Sequence, residues 1–121
     1  MGLNNIELIS DRPLHINLKE IAECVKLFPD RAIIVSLIAD NDRKSSHELI
    51  KKVEDTGAHG FELNFGCPHG MTERGMGAAV GQDPGIACMV VEWVMEAATI
   101  PVITKLTPNV HSEVPPGRTV V

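Results

Sequence analysis

The sequence has no cluster of basic residues: 11 lysines and arginines face 16 aspartates and glutamates, for a formal net charge of −5. A surface that holds nucleic acid needs the opposite balance, so no nucleic-acid partner is expected. No apolar run approaches the roughly 20 residues of a membrane span, and no charged-then-apolar opening reads as a secretory signal. No membrane is expected among the partners. Cysteines are few and scattered, at Cys24, Cys67 and Cys88. That pattern lacks a disulfide framework, which makes a reducing cytoplasm the expected setting. It also lacks the clustered spacing of an iron–sulfur site. No GxGxxG stands in a strand–turn–helix context to hold a dinucleotide.

What is present is an ordinary globular composition, 44% hydrophobic and 22% charged over 121 residues, which points to one domain. The segment from Leu3 to Ser10 reads as extended, and Asn5 and Glu7 then share one side of it. From the residues alone that side is an exposed polar edge. Asn17 can cap a helix to about Phe28, with Ile21, Cys24, Val25 and Phe28 at helical spacing. Residues 32–38 form a continuous β-branched run, as expected of a strand buried on both faces. Asp40, Asn41 and Asp42 follow without the remainder of a calcium loop. Ser45-Ser46-His47-Glu48 reads as a capping box that opens a second helix, with Gly57 as its stop. After a short strand at 60–64, Asp83-Pro84 caps a third helix striped by Ile86, Met89, Val90, Trp93, Val94 and Ala97. Residues 101–105 form a third strand, which ends in Lys105.

Strand and helix alternate throughout, so the expected class is α/β with parallel strands and helical crossovers. The element lengths fit a slice of a (β/α)8 barrel, a fold of about 250 residues. Three strands cannot close such a barrel.

The chemistry concentrates at Glu62-Leu63-Asn64-Phe65-Gly66-Cys67-Pro68-His69-Gly70-Met71-Thr72-Glu73-Arg74-Gly75-Met76-Gly77. Phe61 and Leu63 alternate with Glu62 and Asn64, so the strand has one apolar and one polar face. The polar face needs partners, and a site or a barrel interior would supply them. Cys67 follows where the strand gives way to loop, which is where α/β folds keep their chemistry. As a residue type it can be a proton donor, a nucleophile, a metal ligand or a small buried apolar group. Zinc is disfavoured, because no second ligand pair stands at structural-site spacing. Asn64 offers both a donor and an acceptor, or it ties off a strand end. Lys105 is either a cation for the site or a solvated strand end.

The run from Glu62 to Gly77, with Lys105-Leu106-Thr107-Pro108-Asn109 downstream, resembles the FMN domain of the dihydropyrimidine dehydrogenases. The FMN and iron–sulfur subunit of the bacterial NAD-dependent enzymes is the nearest likeness, and the dihydroorotate dehydrogenases share a shorter Asn-x-x-Cys-Pro loop. The resemblance implies that residues 1–110 are part of an FMN-binding barrel, roughly its second to fifth strands. Residues 111–121 would be an irregular or divergent tail, since Pro115-Pro116-Gly117 interrupts the helix that the family carries there. It further implies reduction of uracil or thymine to the 5,6-dihydropyrimidine. That reaction adds a hydride to one carbon and a proton to its neighbour. FMN would supply the hydride, and Cys67 would be the general acid. An ordinary thiol pKa of about 8.5 suits a reversible proton donor near neutrality. Asn5 and Asn64 would hold the pyrimidine base with support from Glu7, while Lys105 and Asn64 would contact the cofactor. His69, Glu73 and Arg74 would anchor the loop.

The glycine-rich segments that hold the FMN phosphate have no match here. NAD and iron–sulfur clusters would then act only through further sequence or an FAD/NAD-binding partner subunit. Two other readings compete: a class 1 dihydroorotate dehydrogenase-type enzyme, and a non-catalytic truncated barrel that acts through association. The long loop motif favours the pyrimidine-reducing enzyme.

Overall fold

The computed structural model describes residues 12–39, 41–67 and 75–107. Asn5 and Glu7 lie outside the described residues, as do His69, Glu73, Arg74 and the tail at 111–121.

Strands β1 (Ile34–Leu37), β2 (Gly60–Asn64) and β3 (Val102–Lys105) form one sheet in the order β1-β2-β3, and both pairings are parallel. Parallel neighbours need a crossover to return the chain to the same end of the sheet. Helix α2 (Arg43–Glu54) provides it between β1 and β2, and α3 (Ala78–Gln82) with α4 (Pro84–Ala97) between β2 and β3. Helix α1 (Leu14–Leu27) precedes β1. The expected three strands and three long helices are therefore all present, with α3 as an addition.

The register puts Val35 beside Phe61 and Phe61 beside Val102, with Leu37 beside Leu63 and Leu63 beside Thr104. Side chains alternate along a strand, so these residues share a face. Phe61 and Leu63 are fully buried there. Ile50 and Val53 of α2 and Ala87, Val90 and Val94 of α4 close over them in one core. The opposite face carries Ile34 and Ser36 from β1, Glu62 and Asn64 from β2, and Ile103 and Lys105 from β3. Ile34 and Ile103 are 46% and 53% exposed, so nothing among the described residues covers that half of the face. The run at 32–38 thus corrects the expectation of a strand buried on both sides, because β1 alternates exposed and buried. The described helices pack on one face only, and the β-branched residues of the run occupy both.

Two helix starts also differ from expectation. Helix α1 begins at Leu14, and Pro13 rather than Asn17 takes the cap position. The carbonyl of Pro13 accepts from Ile16 N at 2.9 Å, and the fixed φ of proline suits a helix entry. Helix α2 is capped by Asp42, whose Oδ2 accepts from Ser45 N at 2.7 Å, so Ser45 donates to the cap and is not itself the cap. The Asp83 cap is as expected: its Oδ1 accepts from Gly85 N and Ile86 N, and Pro84 opens α4.

The short helix α3 was not legible from periodicity, because two small residues bring it into contact with the backbone that extends β2. Gly77 adopts φ +58, and a Cβ there would stand 2.8 Å from the Cys67 carbonyl oxygen. A Cβ at Gly81 would collide with the Phe65 carbonyl oxygen. Ala78 N donates to Cys67 O at 3.0 Å, which fastens α3 to the strand extension. Helices α2 and α4 are tied at the surface, where Glu96 Oε2 accepts from Arg43 Nε at 2.8 Å and lies 3.1 Å from His47 Nε2.

Gly81→Ala should therefore lower stability by about 1–3 kcal/mol, as overpacking does. Urea unfolding checks this, and an unchanged midpoint would mean that α3 does not sit against Phe65. Acid should weaken the fold as well. The Asp42 carboxyl is held below its ordinary value of 3.8, first by the hydrogen bond from the Ser45 backbone. The Glu96 carboxyl is held below its ordinary 4.5, first by its hydrogen bond from Arg43. A depressed folded pKa contributes stability that is present above the unfolded value and lost as pH falls through the folded one. The urea midpoint should drop below about pH 4.5, and less steeply in a double variant carrying Asp42→Asn and Glu96→Gln.

Candidate functional site

The polar half of the face opposite the described helices lies toward the C-terminal ends of the strands. Asn64 is the last residue of β2 and Lys105 the last of β3, and the ladder sets them side by side. Phe65 N donates to Lys105 O at 2.9 Å, which carries the pairing one residue further. The fold thus brings Asn64 and Lys105 together at one edge of the sheet. Cys67 follows on the extension of β2 and is buried, at 3% exposure. Its backbone is held by the bond from Ala78 and by the close approach of Gly77. Burial argues against an exposed nucleophile. It is compatible with a proton donor screened from water, and equally with a packed thiol.

Asn64 is 5% exposed, and its Oδ1 accepts from Gly66 N at 3.1 Å. This is the local turn that a short amide makes with the backbone two residues on. One acceptor lone pair of the side chain is therefore engaged in shaping the strand end, and the turn starts the segment that leads to Cys67.

Lys105 is not the solvated strand end that the residue type alone allowed. Its Nζ lies 3.0 Å from Glu62 Oε1, and the two side chains are 33% and 27% exposed. The same oxygen accepts from Ser36 Oγ at 2.9 Å. Three neighbouring strands thus contribute one member each to a Ser36–Glu62–Lys105 row. Sequence reasoning identified Glu62 as a polar-face residue but assigned it no role, and it passed over Ser36. The available signal was that Ser36 is a hydroxyl within an otherwise apolar strand, and that it shares a face with Glu62 once the register is known.

For a flavin, the described residues fit the ring side and not the phosphate. Asn64 and Lys105 offer hydrogen-bond donors and a cation at the strand ends, and no glycine-rich cradle for a phosphate occurs among the described residues. No group of His, Cys, Asp or Glu among them could hold a metal ion. A groove of about 400 Å³ runs between α1 and the β1 edge, lined mainly by Leu14, Leu18, Ile21, Cys24, Val35 and Leu37. It is mainly apolar, with Asn17, Glu20 and Ser36 also in its lining, and includes none of Asn64, Cys67 and Lys105. No described helix is long and apolar enough to cross a membrane.

Residues 3–113 match the family described as dihydrouridine synthase (Dus). The chain is 48% identical over 118 residues to the chloroplastic dihydropyrimidine dehydrogenase (NADP(+)) of Arabidopsis thaliana, covering 98% of this chain and 28% of that protein. It is 34% identical over 110 residues to the NAD-dependent dihydropyrimidine dehydrogenase subunit PreA of Escherichia coli K12, covering 91% of this chain and 26% of the relative. Against the dihydroorotate dehydrogenase B (NAD(+)) catalytic subunit of Pyrococcus furiosus the identity is 41% over 80 residues, covering 66% and 25%. The chain thus spans about a quarter of the length of these relatives.

The Lys105–Glu62 pair bridges two neighbouring strands and is still reached by water, so it should contribute little to stability, about 0–1 kcal/mol as for surface pairs. Lys105→Met should shift the unfolding free energy by no more than about 1 kcal/mol, and by less in added salt. A loss several times larger in urea titration would make the pair a structural element of the sheet.

Proposed function

Given that the chain belongs to the dihydrouridine synthase (Dus) family, we propose that it is part of a flavin-dependent oxidoreductase that reduces a pyrimidine base at its 5,6 double bond. The substrate is uracil or thymine, the product the 5,6-dihydropyrimidine, and the flavin FMN. The observation that carries this reading is the pairing of Asn64 with Lys105 at the C-terminal strand ends, with Cys67 on the extension of the same strand. Barrel enzymes assemble their active sites at that edge. The parallel sheet, with helices on one face and polar residues on the other, supports a slice of a (β/α)8 barrel at roughly its second to fifth strands. Residues 1–110 would form the barrel part, and 111–121 a divergent tail.

Bound FMN would supply the hydride to one carbon of the double bond. The Cys67 thiol gives a proton to the neighbouring carbon and takes it back in the reverse direction. Burial of Cys67 supports that role, since a donor shielded from water passes its proton to substrate and not to solvent. Asn64 holds the amide edge of the base, joined by Asn5, with Glu7 in support. Lys105 places positive charge against the cofactor ring, where negative charge accumulates on reduction. The phosphate of FMN requires residues beyond those described here. NAD and iron–sulfur clusters would take part only through further sequence or an FAD/NAD-binding partner subunit, and the cytoplasm is the proposed setting. The relatives' names support a nicotinamide donor but divide between NAD and NADP(+).

A dihydroorotate dehydrogenase-type activity is the second reading, supported by the Pyrococcus furiosus relative. The Arabidopsis likeness covers 98% of the chain against 66% there, which favours the first.

The test places this chain's residues over the matching stretch of the Arabidopsis enzyme, so that a complete barrel is present. With the flavin already reduced, Cys67→Ala should slow dihydrouracil formation by about 10²–10⁴. Cys67→Ser should fall between the alanine variant and wild type, because a hydroxyl keeps the geometry but is the weaker acid. KM should change little in either, since the thiol does not hold the ring. Near-normal turnover by the alanine variant would remove Cys67 from the chemistry.

A further inference from the structure

The Ser36–Glu62–Lys105 row is not explained by stability. Glutamate is depleted in strands, and Glu62 stands in the middle of β2 on a face where its β3 register partner is the apolar Ile103. The ion pair is about a third exposed and offsets little of that cost. The geometry is more specific than the energy. Lys105 pairs in the ladder with Asn64, yet its ammonium bonds to Glu62, two positions nearer the start of β2. The side chain therefore lies back along the sheet and does not extend from the strand end into solvent, the usual course for a terminal lysine. Glu62 is itself fixed from the other side, because the oxygen that meets Lys105 also accepts from Ser36.

We infer that Glu62 is a positioning residue for Lys105: it draws the ammonium onto the face of the sheet opposite the described helices, and Ser36 holds Glu62 in the orientation that does so. The inference rests on the reading of that face as a flavin site. Held this way, the lysine presents its charge at a fixed place, so little side-chain ordering remains to be done when the cofactor arrives. A carboxylate beside the cation also lowers the net charge there. The two roles predict opposite signs. If Glu62 acts only as a counter-charge, its removal leaves a bare cation and tightens binding of the anionic FMN. If it positions Lys105, its removal loosens binding although the net charge becomes more favourable.

The measurement is FMN uptake by the grafted enzyme after flavin removal, followed by flavin fluorescence and absorption, beside kcat and KM for uracil. Glu62→Gln should raise the FMN dissociation constant about 10- to 100-fold, the range for losing a charge-assisted hydrogen bond, and should change the bound flavin spectrum. Ser36→Ala, at an exposed position that tolerates change, should move both in the same direction by less. In the full 121-residue chain, amine acetylation read by mass spectrometry should modify Lys105 faster in Glu62→Gln than in wild type, with Lys51 and Lys52 as internal references. An unchanged or tighter FMN constant overturns the inference, as does unchanged Lys105 acetylation. A wild-type graft that holds FMN but forms no dihydrouracil overturns the proposed reaction and leaves the Glu62 result standing. A wild-type graft that takes up no FMN overturns both.

Discussion

A parallel sheet of three strands has two faces, and the described helices cover only one. Everything else in this structure depends on that asymmetry. Phe61 and Leu63 meet the helices and are fully buried, whereas Ile34 and Ile103 on the far side remain about half exposed. A sheet buried on both faces would have no use for Glu62 in the middle of its central strand, since an ionised side chain without partners is costly away from water. On the face opposite the described helices the same residue reaches a serine on one neighbouring strand and a lysine on the other. The polar row and the open face are one feature.

The C-terminal edge is built by backbone constraint as much as by side chains. The Asn64 amide turns the chain at Gly66, the Cys67 carbonyl accepts from Ala78, and α3 presses against the strand extension because Gly77 and Gly81 carry no Cβ. These contacts hold the stretch from Phe65 to Cys67 in place before any ligand is considered. A thiol in such a position is fixed relative to Asn64 on its own strand and, through the ladder, relative to Lys105. That fixed, buried placement distinguishes this cysteine from the exposed Cys24.

Much of the architecture was legible in the residues. Alternation of apolar and polar side chains in β2, the Asp83-Pro84 helix start and the repetition of strand and helix each follow from local rules, and the structure agrees with all three. Local reading failed where two signals competed. Ser45 and Asp42 both suit a cap, and the choice depends on where the chain leaves β1, so Asp42 takes the position. The β-branched run before it carries no mark of which residues face helices, because valine and isoleucine serve either side.

By itself, then, the sequence determined the fold class, the order of the three strands and three long helices, and the loop from Glu62 to Gly77 that carries the family likeness. Those properties depend on neighbours along the chain: periodicity, caps and turn residues. Only the tertiary structure decided what Lys105 does and that Ser36 takes part. Their meeting through Glu62 requires the register of two strand pairings, and register is a relation between segments more than twenty residues apart that no local pattern states.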